Sequence, residues 1–144
     1  MNHSLLELAI RLSGLVHFSI LIASAMVPRV LDWRGQLAAL HPFLRRLFWV
    51  YGSFIVLTIV AFGLISLACA PDLADGSPLA RWVCGFIAVF WLARLAVQFF
   101  VFDAREFLTT WWLRAGYHLL TIIFIALPVP YGMVAAGFGK TVMP

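Results

Sequence analysis

The chain has 144 residues, of which 64% are hydrophobic and only 11% charged, and its formal net charge is +4. A soluble domain of this size needs far more charge to cover its surface, so the composition excludes one and indicates an integral membrane protein. The arginines are spread among the connecting segments, which is typical of residues that orient spans and argues against nucleic-acid binding.

Four apolar runs are each long enough to cross a hydrocarbon core as a helix, which takes about 20 residues. They extend over about Leu5 to Val27, Leu47 to Ala70, Leu79 to Phe102 and Leu113 to Phe138. No soluble domain or repeat accompanies them, so we predict a single membrane domain over residues 1–144. The short connections favour an all-α, up-down bundle of four transmembrane helices.

The N-terminus allows a second interpretation as a secretory signal peptide. Arg11, the apolar stretch after it and the small residues Ala23, Ser24 and Ala25 imitate a signal peptide with its cleavage site. The apolar run begins before Arg11, however, and this favours an uncleaved first span.

Basic residues concentrate in the first and third connections, and this bias predicts the orientation. Because cytoplasmic loops carry the excess of Lys and Arg, we expect both connections in the cytoplasm and both termini outside a bacterial inner membrane. Leucines at helical spacing in the first connection also indicate an interfacial segment. The basic residues of the two connections are Arg29, Arg34, Arg45, Arg46 and Arg105.

Two cysteines flank the second connection, which this topology places on the extracytoplasmic side. Cys69 ends the second span and Cys84 opens the third. An oxidising compartment permits a disulfide between them. The alternative is a pair of inert thiols packed in apolar helices, since cysteine is common in such surroundings. No metal-ligand spacing involves either cysteine.

The fourth span contains features that affect its shape. Pro128 and Pro130 remove amide donors and predict a kink or an early end of the helix. Gly132 and Ala136 have the small-xxx-small spacing of close helix contacts, either within the chain or between copies.

The third span contains an arginine and a glutamine in the stretch WLARLAVQFF. Arg94 and Gln98 are four positions apart, so they share a face of the helix. Counted from the cytoplasmic interface, Gln98 lies about one and a half turns and Arg94 about two and a half turns inside the membrane. Other spans contribute polar residues to the same half or to the midplane. We therefore predict a polar pocket built from His17, Tyr51, Arg94, Gln98 and His118.

Arg94 is the residue of this pocket that most needs a partner for its charge. A guanidinium at the centre of a lipid-exposed helix costs about 2.5–3.5 kcal/mol on insertion scales. No carboxylate occurs in any span at its depth, since Glu7 and Asp103 lie near span ends. An anionic or electron-rich ligand would supply the missing partner. The alternatives are an acidic residue of a partner subunit and a structural role in which Arg94 bonds helix carbonyls.

His17 and His118 suggest a haem or quinone site. Bis-histidine ligation requires two imidazoles at one level, and the rise per residue places His17 on the order of 5–8 Å deeper than His118. One axial histidine remains compatible with haem b, with Arg94 on a propionate. His118, with Thr121, Tyr117 and Gln98, suits a quinone headgroup equally well.

These residues predict haem or quinone binding in membrane electron transfer. No recognisable catalytic motif is present in the sequence, so no reaction is predicted. A second hypothesis is a non-catalytic accessory subunit of a larger membrane complex, in which Arg94 meets a partner's acid. A third is a protein that handles an anionic lipid. Each implies contact with the bilayer and with other membrane subunits or further copies of the chain.

Overall fold

The computed structural model describes residues 3–101 and 110–138, and within these ranges it contains helices and no strand. The helices are α1 (His3–Val30), α2 (Trp33–Ala38), α3 (Pro42–Ala68), α4 (Ala70–Ala74), α5 (Pro78–Phe100), α6 (Trp111–Ala126) and α7 (Pro128–Ala135). Helices α1, α3, α5 and the α6–α7 pair are long and apolar enough to cross a membrane. The prediction of four apolar helices is confirmed, and they indicate a multi-pass membrane protein.

The helix ends follow local capping chemistry more closely than the limits of the apolar runs. Helix α3 begins at Pro42, five residues before the apolar run, because His41 Nδ1 accepts a hydrogen bond from the Phe43 amide at 3.3 Å. Proline is favoured in the first turn, where its missing N–H has no intrahelical partner. The short helix α2 occupies the segment predicted to be interfacial, and it buries none of its residues.

The fourth span is interrupted at the predicted prolines. Helix α6 ends at Ala126 and α7 starts at Pro128, with Leu127 between them in right-handed helical geometry. The break is packed inside the protein, since Leu127, Pro128 and Pro130 are all buried. The core of a bilayer has no water to bond free backbone groups, so an interrupted helix must be buried within protein.

Helices α1 and α3 approach each other closely at two glycines, Gly14 and Gly63. A Cβ atom built on Gly14 would lie 2.9 Å from Leu67 Cγ and 3.2 Å from the Gly63 carbonyl oxygen, and one on Gly63 would lie 2.7 Å from Phe18 Cε2. Small residues of this kind allow membrane helices to pack backbone against backbone. Gly132, by contrast, has open space beside it within the chain.

Burial divides the described helices into two halves. The closed half contains nearly the whole core and is formed by residues 3–20, 59–91 and 124–138. The open half is formed by residues 21–58, 92–101 and 110–123, and Gln98 is its one buried residue. Large apolar side chains such as Tyr51 and Phe54 are more than half exposed there. The open half therefore presents surfaces that the described chain does not cover.

Candidate functional site

His17 lies at the centre of the closed half and is completely buried. Its Nδ1 lies 2.6 Å from the Ser13 carbonyl oxygen, and its Nε2 accepts a hydrogen bond of 3.0 Å from Trp91 Nε1. The indole of Trp91 can only donate, so Nε2 must carry a lone pair and Nδ1 must carry the proton. The two contacts therefore fix a neutral imidazole in one tautomer.

Three aromatic rings surround this imidazole edge to face. The ring centroids of Phe62, Trp91 and Tyr131 lie 6.0, 5.4 and 6.0 Å from that of His17. The hydroxyl of Tyr131 is in turn hydrogen bonded to Ser66 at 2.7 Å. His17 thus joins α1 to α5 through its hydrogen bond and contacts aromatic rings of α3, α5 and α7.

The core-facing side of α5 continues from the closed half into the open half. Ile87, Trp91, Arg94 and Gln98 follow one another at steps of four, three and four residues, which places them along one side of a helix. Ile87 and Trp91 are buried in the core, whereas Arg94, one turn further, is exposed. Arg94 therefore lies where the stripe leaves the core and enters the open half.

The guanidinium of Arg94 is placed against an aromatic ring. Its Cζ lies 5.4 Å from the ring centroid of Phe124, within the range of a cation–π contact. Among the described residues no carboxylate forms an ion pair with it, and no hydrogen bond engages its N–H groups. Among these residues, the ring of Phe124 is therefore the group placed beside its charge.

Gln98 is held by the neighbouring helix α6. Its Nε2 donates a hydrogen bond of 2.6 Å to Thr121 Oγ1, and Thr121 donates one of 2.8 Å to the Tyr117 carbonyl oxygen. This bond uses one of the two Nε2 protons, which leaves the other N–H as a donor and the amide oxygen as an acceptor. The hydrogen bond between Gln98 and Thr121 joins α5 to α6 in the open half, where few other contacts join these helices.

The remaining predicted pocket residues are exposed. His118 packs its ring edge to face against Tyr117, with centroids 5.7 Å apart, and Tyr51 is 61% exposed on α3. Phe124 contacts Trp91, the partner of His17, and His118 precedes Phe124 by six residues. His118 therefore lies about 9 Å along α6 from the level of Phe124 and His17, toward the open half.

The five predicted residues consequently do not form one polar cluster. Within the described ranges no hydrogen bond joins any two of them, and His17 belongs to the core of the closed half. Arg94 and Gln98 lie on the stripe that enters the open half. No group of three or more metal-ligating side chains occurs in the described part of the chain.

Cys69 and Cys84 are free thiols in the structure. Cys69 caps the C-terminus of α3 and is half-buried, whereas Cys84 is buried on the core-facing side of α5. A tight turn joins α4 to α5. The Cys84 side chain packs in the core of the closed half.

Sequence reasoning did not identify Trp91 as the partner of His17. The signal was present, because Trp91 precedes Arg94 by three positions and Gln98 by seven, on the same helix face. Nor did it identify Tyr131 and Ser66, since a hydrogen bond between residues 65 positions apart has no local sequence pattern.

Comparisons of the chain with protein-family models, with curated proteins and with solved structures find no match. The fold and the placement of individual side chains are therefore the basis for any functional conclusion.

Proposed function

We propose that the open half binds an electron-rich amphipathic ligand in membrane electron transfer, with Arg94 as its principal hydrogen-bond donor. The observation that carries the proposal is the position of Arg94 on the core-facing stripe of α5, at the level where this stripe leaves the core. A guanidinium at such a level has a high free-energy cost unless a partner offsets it. The apolar side chains of the open half suit the rest of an amphipathic ligand.

A quinone matches these surroundings better than a haem. Both ring nitrogens of His17 already have partners, so an iron atom would have to displace Trp91 before this histidine could bind it. Arg94 can donate to a quinone carbonyl, and His118 and Tyr51 are exposed in the same half. Haem b remains the second cofactor in this proposal, with exposed His118 as its axial ligand and Arg94 on a propionate.

The proposal includes a position in the membrane. The spans form an up-down bundle in a bacterial inner membrane, with α2 on the cytoplasmic side and both termini outside. The support is the excess of arginine in the first and third connections. The open half and Arg94 would then face the cytoplasmic leaflet.

The test measures cofactor and quinone content in protein purified in mild detergent. Absorption spectra of the oxidised and dithionite-reduced protein report haem, and mass spectrometry of the organic extract reports quinones and lipids. We expect no Soret band and stoichiometric quinone. A Soret band in wild type that is lost in His118→Ala would identify the ligand as haem and refute quinone.

The role of Arg94 is tested by titrating a soluble quinone analogue into the same preparation. Arg94→Met should weaken binding about tenfold, because a charge-assisted hydrogen bond is lost. Arg46→Met is the matched control, since it removes an exposed arginine from the first turns of α3. Equal affinity of wild type and Arg94→Met would refute the proposed ligand role.

A second candidate function is supported by the exposed apolar surfaces of the open half. In this proposal the chain is a non-catalytic accessory subunit, and a helix of a partner subunit fills the open half and offers a carboxylate to Arg94. Helix α3 carries such a surface at Tyr51, Phe54 and Ile55, each more than half exposed. Contiguous exposed apolar side chains of this kind suit contacts with lipid or with protein.

The two functions differ in what Arg94→Met disrupts. A partner subunit predicts that the variant loses a co-purifying membrane protein while the spectrum and quinone content of the preparation stay unchanged. A ligand site predicts the reverse. Arg94→Lys adds a further distinction, because a bidentate contact with a carboxylate or phosphate rejects lysine more strongly than a single contact with a carbonyl does. Recovery of a specific anionic lipid with wild type alone would instead support lipid handling.

A further inference from the structure

A cavity of about 420 Å³ lies at the surface of the closed half, between the beginning of α5 and the end of α7. It is remote in the fold from Arg94, which lies 13 residues beyond Arg81 on α5. Both helix ends reach the boundary of their apolar spans here, which is the level of lipid headgroups. The cavity is lined by Gly76, Pro78, Arg81, Trp82, Gly85 and Ala135.

Arg81 is the charged residue of this cavity, and it is fixed in position. Its Nε donates a hydrogen bond of 3.0 Å to the carbonyl oxygen of Ala135, the last residue of α7. A Cβ atom on Gly137 would lie 3.8 Å from Arg81 Cζ, so the guanidinium also packs beside the turn that follows α7. The side chain is half-buried, and this contact orders the guanidinium plane before any ligand arrives.

The charge of Arg81 is not neutralised within the described part of the chain. The ion pairs there are His3 with Asp75 and Arg11 with Glu7, and neither involves Arg81. Its bond to Ala135 uses one of the five guanidinium N–H donors. A fixed guanidinium with remaining donors has the geometry that suits the oxygens of a phosphate group.

An apolar stripe on α5 extends from the cavity into the membrane-spanning part of the helix. Trp82, Phe86 and Val89 follow at steps of four and three residues and are 80%, 63% and 62% exposed. Tryptophan is enriched at membrane interfaces because its ring is apolar and its N–H is polar. A phosphate beside Arg81 would therefore be followed by a surface that suits an acyl chain.

We propose that this cavity binds a phospholipid, with the phosphodiester on the free donors of Arg81 and an acyl chain along Trp82, Phe86 and Val89. The bound lipid would join the start of α5 to the end of α7. The proposal is independent of the function assigned to the open half, because it shares no residue with that site.

The test is native mass spectrometry of delipidated protein in detergent, titrated with phosphatidylglycerol. Arg81→Gln should weaken lipid binding about tenfold, because charge-assisted hydrogen bonds are lost. Arg11→Gln is the matched control, since Arg11 lies in the same half but is paired with Glu7 at 2.9 Å. We expect this control to bind the lipid as wild type does. Equal lipid affinity of Arg81→Gln and wild type, or an equal loss in Arg11→Gln, would overturn the proposal.

Two measurements on wild type keep the proposal testable if Arg81→Gln does not fold. Phosphatidylglycerol should bind about tenfold more tightly than diacylglycerol with the same chains, which lacks the phosphate. Equal binding of the two would overturn the phosphate assignment. Inorganic phosphate at the concentration of the lipid should leave the complex intact. Its displacement of the lipid would assign the cavity to a soluble anion and overturn the lipid assignment.

Discussion

Replacement of Gly14 by alanine tests the close approach of α1 and α3. The added Cβ would lie 2.9 Å from Leu67 Cγ, 3.0 Å from Leu67 Cδ2 and 3.2 Å from the Gly63 carbonyl oxygen. The carbonyl belongs to the α3 backbone, and Cγ is the branch point of Leu67, so a simple rotamer change cannot remove both contacts. The helices must separate for the methyl group to fit.

The expected loss of stability comes from a comparison with Gly52, a glycine of α3 with open space beside it. Alanine in place of helical glycine stabilises by about 0.5–1 kcal/mol through backbone propensity, and this gain is common to both positions. Overpacking of a close contact costs about 1–3 kcal/mol and applies at Gly14 alone. Gly14→Ala should therefore be less stable than Gly52→Ala by about 1–3 kcal/mol.

The assay is reversible unfolding in mixed micelles with increasing mole fraction of SDS, followed by circular dichroism. Gly52→Ala should unfold at a higher SDS fraction than wild type and Gly14→Ala at a lower one. If the two variants are equally stable, the glycine contact between α1 and α3 is refuted.

The same unfolding assay tests three further residues. Trp91→Phe should lower the free energy of unfolding by about 1–3 kcal/mol, because it leaves buried His17 Nε2 without a donor. Adding His17→Leu to this variant should restore part of the loss. Fully additive losses of the two substitutions would contradict the hydrogen bond. Tyr131→Phe should cost about 0.6 kcal/mol, the average for interhelical hydrogen bonds in membranes, and a loss above 2 kcal/mol would require another role for the hydroxyl. Arg94→Met should leave stability unchanged or raise it, since only the cation–π contact with Phe124 is lost; marked destabilisation would make Arg94 a structural residue.

The apolar helices were predictable because length and hydropathy alone specify them. An uninterrupted apolar run of about 20 residues has few alternatives to a membrane-spanning helix. The predicted ends of the helices were less accurate. His41 and Pro42 start α3 in a segment whose arginines lower its mean hydropathy. The break before Pro128 was predictable from the missing amide donor of proline.

Which helices touch could not be predicted, because the depth and the helix face of a residue do not specify its neighbouring helices. The shared face of Arg94 and Gln98 follows from their spacing and is present in the structure. The position of His17 depends on the contact of α1 with α5, and its partner Trp91 lies 74 positions away. Tyr51 is exposed because, within the described ranges, no side chain covers its face of α3, although Trp33 of α2 packs against Phe48 and Trp49 nearby.

The two halves differ in how completely their polar groups find partners within the described chain. No buried side-chain nitrogen or oxygen in the described residues lacks a hydrogen-bond partner, so the fully buried polar groups of the closed half are satisfied within the chain. Arg94 differs, since within the described ranges its charge has an aromatic ring beside it and no acid. A guanidinium has a high free-energy cost of insertion in a membrane span, and the proposed ligand or partner would offset this cost. The open half is therefore where the proposed ligand or partner would bind.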